Sequence, residues 1–296
     1  MAVCLQMQAA TRLHTALSAV VSLSIVLSGC GDDTEKTSLT QIVLIADSMG
    51  VPIGIDKRSL FFELLLRNED QLYPKWSNKA LLDLYPNMRT VKIAKIGYPS
   101  SRLLPELTNV PEKPDGRSLV IVAMGFDDFS HMLTEQNLEK VIDSVRELKL
   151  NIKQLLRYFQ NKTRFPNGVD VVILNHQDLS EGLGLVAPFW PGGGFCSMWP
   201  RENNEVAEVY RQMFLRLTAM LASLSEEEHF MLADVNSLMR GHGAWFWLKE
   251  SPYYYKDDPT FWFTADCLHL NERAHHAIRE LIWKLLPERI TNPQRP

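Results

Sequence analysis

With 296 residues, 46% of them hydrophobic, and a formal net charge of −4, the chain is long enough for one large α/β domain and too evenly mixed to stay disordered. Its mild acidity, with no run of Lys and Arg anywhere, offers no basic field to capture a phosphate backbone. Nucleic-acid binding is therefore disfavoured.

The first 29 residues hold one formally charged side chain, Arg12, and an apolar stretch from Ala16 to Leu27. That length suits the core of a secretory signal and falls short of the roughly 20 apolar residues a membrane-spanning helix needs. A polar segment, Gly31 to Lys36, follows at once. Leu27-Ser28-Gly29-Cys30 resembles the lipobox of bacterial lipoproteins. That resemblance implies a signal over residues 1–29 and acylation of Cys30 as the mature N-terminus. It also implies export, with the lipid anchoring the protein to a bacterial membrane facing the periplasm or cell surface. An ordinary cleaved signal is the alternative. Residues 30–40 read as a short tether. On the lipoprotein reading Cys196 and Cys267 are the thiols left in the mature chain; in an exported protein they suggest one disulfide, or else two separate buried cysteines.

Short runs rich in Val and Ile predict strands at Gln41 to Ala46, Thr90 to Ile96, Leu119 to Met124, Val169 to Leu174 and Phe230 to Ala233. Near-continuous apolar runs of this kind suit strands buried on both faces. Helical periodicity marks Leu138 to Phe159, where Val141, Val145, Leu148, Ile152, Leu155 and Leu156 form one stripe, then Val206 to Leu224 and Glu272 to Leu285. Strands alternating with helices predict an α/β fold: a three-layer αβα sandwich on a mainly parallel, five-stranded sheet, as one domain over residues 41–290. Working residues in such sheets gather at the carboxyl ends of the strands.

Ala46-Asp47-Ser48-Met49-Gly50 places a serine where the first strand ends. Alone it reads as easily as a cap or turn residue. Near the other terminus, Asp266-Cys267-Leu268-His269-Leu270-Asn271 precedes the last helix. On one tight loop the carboxylate can hold one ring nitrogen of the histidine while the other faces a serine. The plainer alternative makes this stretch the entry to the helix, with Asn271 as its N-cap.

Taken in order, these motifs resemble those of the SGNH (GDSL-like) hydrolases. Gly-Asp-Ser appears as Ala46-Asp47-Ser48, the second-block glycine as Gly97, Gly-x-Asn-Asp as Gly125-Phe126-Asp127-Asp128, and the final Asp-x-x-His as Asp266 to His269. The resemblance implies a serine esterase working through a covalent acyl-enzyme, with no metal and no organic cofactor. Ser48 is then the nucleophile, His269 the general base and Asp266 its orienting carboxylate. Backbone N–H groups of Ser48 and Gly97 would hold the oxyanion, glycine allowing close backbone approach. Two residues depart from the pattern. Ala46 replaces a glycine, which is tolerable if its backbone angles are ordinary. Asp127 stands where the family's Asn donates its amide to the oxyanion; an ionised carboxylate cannot donate, although a buried one held protonated can.

Long segments follow the fourth and fifth strands, His176 to Asn204 and Asn236 to Ala265, and hold Trp190, Trp199, Trp245, Trp247 and Trp262. Such loops are usually functional. Trp190, Trp199, Trp245, Trp262 and His176 are taken as substrate contacts, the aromatics lining an acyl groove, stacking on sugars, or forming a satellite core. A Cys196–Cys267 bridge would tie the two loops over the site. KIGYPSSRLL and Cys196 to Trp199 resemble, more loosely, the catalytic part of acyloxyacyl hydrolase, which tilts the expected substrate toward lipid-like acyl esters. The rivals are a carbohydrate O-acetyl esterase or acetyltransferase of the same fold, and a non-catalytic binding protein that keeps it. The scattered histidines, including His275-His276, show no zinc-site spacing.

Overall fold

The computed structural model describes residues 38–129, 138–177, 204–243, 246, 249–250 and 254–293. All of these belong to one compact unit. The signal expected over 1–29, Cys30, most of the tether, and Trp190, Trp199, Trp245, Trp247 and Cys196 lie outside the described residues.

Five strands, β1 (Leu39–Ala46), β2 (Arg89–Ala94), β3 (Arg117–Ala123), β4 (Val169–Leu174) and β5 (Met231–Ala233), form a sheet in the order β2-β1-β3-β4-β5. Every neighbouring pair is parallel. β1 and β3 are nearly continuous apolar runs with almost every residue buried, as strands covered on both faces must be. β2 sits at the edge and carries the charged Arg89 and Lys92 among its apolar residues. β1 begins at Leu39, two residues inside the stretch expected to be tether, because the Leu39 side chain reaches the core and is 2% exposed. β2 stops at Ala94 rather than Ile96. The chain turns away there: Ile96 is 59% exposed and Gly97 takes a φ of +73°.

Helices cover both faces. On one lie α1 (Phe61–Leu66) and, packed against it, the last long helix; the short α2 (Ser100–Leu103) follows β2. On the other face α3 (Leu138–Gln160) packs along α4 (Asn204–Glu228). A short α5 (Val235–Met239) follows β5, and α6 (Glu272–Leu285) is the helix that meets α1. The predicted stripe of α3 is its buried face, with Leu148, Ile152, Leu155 and Leu156 at 1% exposure or less. α4 runs one turn past the predicted Leu224, where Glu227 meets Lys149 (3.3 Å) and Lys153 (2.8 Å) from α3. Such exposed pairs contribute only tenths of a kcal/mol each. The turn closes at His229, whose φ of +56° is the left-handed conformation that commonly ends a helix.

The strand order reverses direction between β1 and β3, with β2 on one side and β4 and β5 on the other. Loops leaving the carboxyl ends of β1 and β3 therefore part in opposite directions and leave a crevice, the usual ligand position in such sheets.

Candidate active site

Ala46, Ala94 and Ala123 lie side by side at the carboxyl ends of the three adjacent strands. Small side chains there let the chain fold straight back over the sheet. A Cβ on Gly50 would stand 2.6 Å from the Ala46 Cβ and 2.9 Å from the Ala94 Cβ, so glycine is needed for space. Ala46 itself ends β1 with both neighbours in register, and its strand geometry tolerates the extra methyl group.

Between β1 and the short 3-10 turn Ser48–Gly50 stands Asp47, fully buried. One carboxylate oxygen accepts the Met49 N–H at 3.0 Å and caps the turn. The other accepts N–H groups of Gly125 (3.0 Å) and Phe126 (3.1 Å). Asp47 thus fixes Ser48 and ties the loop after β1 to the loop after β3. Sequence reasoning placed it beside the serine and missed this role, for which an Asp directly after an apolar strand was the available signal.

The loop after β3 carries Asp127 and Asp128, both buried. Asp127 accepts a hydrogen bond from the Gly97 N–H. Burial and then the negative charge of Asp47 push its pKa up to about 6, against the pull of that N–H and of His176. Asp128 is likewise raised to about 6, chiefly by burial, although it accepts from the Ser100 N–H (2.8 Å) and hydroxyl (2.5 Å). The Ser100 hydroxyl in turn accepts from the Asn151 amide at 2.8 Å. This network sets α2, and with it the loop through Gly97. A Cβ on Gly97 would meet no atom within 4 Å. Its positive φ asks for glycine here.

The Asp266–His269 loop is a closed unit. Its base is an antiparallel bridge between Phe263 and Leu270, backed by Thr264 N–H to His269 O at 2.8 Å. Cys267 at its tip has a φ of +58°, is fully buried and is disulfide-bonded. Asp266 Oδ2 lies 2.6 Å from His269 Nδ1. Its Oδ1 accepts from Thr264 Oγ1 (2.7 Å), Leu268 N–H (2.9 Å) and His269 N–H (2.9 Å). Burial alone would raise the Asp266 pKa; the hydrogen bonds, led by the His269 side chain, outweigh it and bring the value down to about 2. Asn271 then caps α6 by accepting N–H groups of Arg273 (3.1 Å) and Ala274 (3.2 Å). The carboxylate–imidazole pair and the helix entry, alternatives on sequence, coexist.

Ser48 and His269 line one cleft, together with Asp47, Val51, Ile53, Phe126, His176, Gln177 and His275. His275, whose spacing fits no zinc site, is buried; its Nδ1 accepts the Phe61 N–H at 3.4 Å, and burial lowers its pKa to about 3. Trp262 does not reach this cleft. It stacks on His242 with ring centroids 3.6 Å apart, is 6% exposed, and lines a separate cavity with Arg240, Tyr254 and Tyr255. The flat face of Trp262 packs against His242, the satellite-core arrangement that the sequence left open beside a substrate contact. Among the described residues no His, Cys, Asp and Glu side chains are grouped to hold a metal ion, and no helix is long and apolar enough to cross a membrane.

The family model for GDSL-like lipase/acylhydrolase matches residues 44–282. Among solved structures the chain is similar to an extracellular lipase from Streptomyces rimosus, at 14% identity and a TM-score of 0.55, over 83% of this chain and 100% of that one. It is also similar to the acetyl xylan esterase AlAXEase, at 11% identity and a TM-score of 0.50, over 83% of this chain and 100% of that one. These likenesses are of fold. No curated protein sequence matches the chain.

Proposed function

This chain belongs to the GDSL-like lipase/acylhydrolase family, and we propose that it hydrolyses acyl esters, lipid-like ones among them, with Ser48 as nucleophile, His269 as general base and Asp266 as the carboxylate that orients the base. The observation that carries the reading is the 2.6 Å contact between Asp266 and His269 Nδ1, made by a histidine that shares its cleft with Ser48.

In the first step His269 Nε2 takes the proton of the Ser48 hydroxyl as Oγ bonds to the ester carbonyl carbon, and the carbonyl oxygen becomes an oxyanion. Collapse of that intermediate breaks the bond to the leaving alcohol, which receives the proton from His269. Water then attacks the acyl-serine by the same route and releases the acid. Backbone N–H groups of Ser48 and Gly97 serve the oxyanion, the Gly97 N–H turning to it from Asp127. Val51 and Ile53 give the cleft an apolar wall beside Ser48, which supports an acyl chain there. Residues 1–29 are read as a signal, Cys30 as a lipid anchor holding the enzyme to a bacterial membrane, and Cys196 as the partner of Cys267.

Hydrolysis of p-nitrophenyl esters of increasing chain length by wild type and Ser48→Ala tests the function. Turnover lost in Ser48→Ala is expected. Turnover confined to acetate would favour an O-acetyl esterase over a lipid-directed enzyme, and a Ser48 that a phosphonate does not label, in a protein without activity, would favour a binding protein.

A further inference from the structure

The three residues after β4 are pinned on every side. Asn175 is fully buried; its N–H bonds Ala233 O (3.1 Å), its amide donates to Asp234 (2.8 Å), and its oxygen accepts the Asn236 N–H (2.9 Å). The His176 carbonyl accepts from the Asn236 amide at 3.2 Å. Gln177 donates its amide to Leu268 O at 3.3 Å, on the loop that carries His269. That anchoring fixes the backbone from which the His176 side chain projects.

That side chain is 3% exposed, yet its Nε2 has no hydrogen-bond partner. Asp47 Oδ2 stands 3.9 Å away, beyond hydrogen-bond range, and already accepts the Gly125 and Phe126 N–H groups. Buried polar atoms are almost always paired, and an exception held rigidly in place calls for a reason. The residue lines the cleft with Ser48 and His269. Its Nε2 also lies against the loop after β3: a Cβ on Gly125 would be 3.5 Å from it, and Asp127 on that loop is within its electrostatic reach. Of the other side chains lining the cleft, Gln177 has given its amide to Leu268, and His269 turns Nδ1 to Asp266. Asp127, Asp47 and Asp128 surround this corner with carboxylates, which as anions only accept.

We propose that His176 is a catalytic residue of this site, its Nε2–H donating to the oxyanion formed on the ester carbonyl and so supplying the side-chain hydrogen bond that an ionised Asp127 cannot. No bond to His176 is made or broken. The assignment rests on the reading of Ser48 and His269 as nucleophile and base.

The test is steady-state hydrolysis of p-nitrophenyl acetate by wild type, Ser48→Ala, His176→Ala, His176→Gln, Asp127→Asn and the pair Asp127→Asn with His176→Ala. Loss of the donor in His176→Ala is expected to lower kcat roughly 100-fold with KM little changed, and the amide of His176→Gln to restore a large part of it. In the Asp127→Asn background the same His176→Ala change is expected to cost about tenfold or less, because the amide at 127 then donates. Equal losses in both backgrounds, or wild-type kcat in His176→Ala, overturn the proposal. Should His176→Ala not fold, His176→Phe fills the ring's volume without a donor, and wild-type kcat there overturns it as well. Hydrolysis that survives Ser48→Ala sinks the serine reading and this assignment together; Ser48-dependent hydrolysis indifferent to His176 sinks this assignment alone.

Discussion

Asp266 holds the His269 imidazole at 2.6 Å, Oδ2 to Nδ1, while its other oxygen takes the N–H groups of Leu268 and His269 and the hydroxyl of Thr264. One carboxylate therefore shapes the loop and aims the ring that the loop carries. Between them Cys267 adopts the left-handed conformation, and the loop turns there.

Asp266→Asn should lower kcat/KM by about 1000-fold or more, since an amide facing Nδ1 favours the wrong tautomer. It should also cost about 2 kcal/mol of stability at neutral pH. The folded pKa of about 2 lies below the unfolded value, so this stability is present above pH ~4 and is lost as pH falls through about 2. Urea unfolding of both proteins at pH 7 and pH 3 measures it: a gap that fails to narrow in acid contradicts the assignment.

Asp127→Asn keeps an acceptor for the Gly97 N–H and gains a donor. At pH 8, where the native carboxylate is ionised, kcat/KM should rise by about tenfold or more. With a folded pKa of about 6 the wild-type side chain loses its charge below that pH, so the gain should shrink by pH 5. Stability moves in parallel. The pKa is raised on folding, hence wild type loses stability as pH climbs from ~4 through about 6, and the Asn variant should be the more stable of the two at pH 8. A lower rate at pH 8 would show that the carboxylate is no handicap.

Two glycines separate space from conformation. Gly50→Ala drives a Cβ into the Ala46 and Ala94 methyl groups and should destabilise the fold by about 3 kcal/mol. Gly97→Ala meets open space and should cost only ~1–2 kcal/mol for its positive φ, yet reduce kcat about tenfold or more by turning the proposed oxyanion donor away. Thermal melts and kinetics on both variants check this; similar melts with unequal kinetics in the reverse order would refute it.

Cys267→Ser, or reduction of the wild type, should remove about 2–4 kcal/mol and lower kcat, because the disulfide is anchored between Asp266 and His269. Peptide mapping of the unreduced protein should recover Cys196 joined to Cys267. A fragment pairing Cys267 with another cysteine would refute that pairing.

His275 is buried and neutral, with a folded pKa of about 3 against an ordinary value near 6.5. Protonation below pH ~6.5 therefore favours the unfolded chain, and wild type should lose stability as pH falls from there toward 3. His275→Gln, whose side-chain oxygen can still accept the Phe61 N–H, should lack this contribution. Its stability relative to wild type should improve steadily between pH 6.5 and 4, and a constant difference across that range would disprove the idea.

Sequence alone determined the strands and the long helices, because burial on both faces demands the continuous apolar runs of β1 and β3 and one-sided burial demands the stripe of α3. It also determined which residues stand at strand ends and in what spacing, so Ser48, Asp266 and His269 were legible, as was the Asn271 cap. Those are local properties, written within a few consecutive residues. Tertiary structure alone decided that Asp47 grips the loop after β3, that Asp128 and Asn151 meet at Ser100, that Trp262 packs on His242, and that His176 lines the cleft with a buried, unpartnered nitrogen. Each of these joins side chains far apart in the chain, and sheet register and helix packing, rather than periodicity, settle which of them meet.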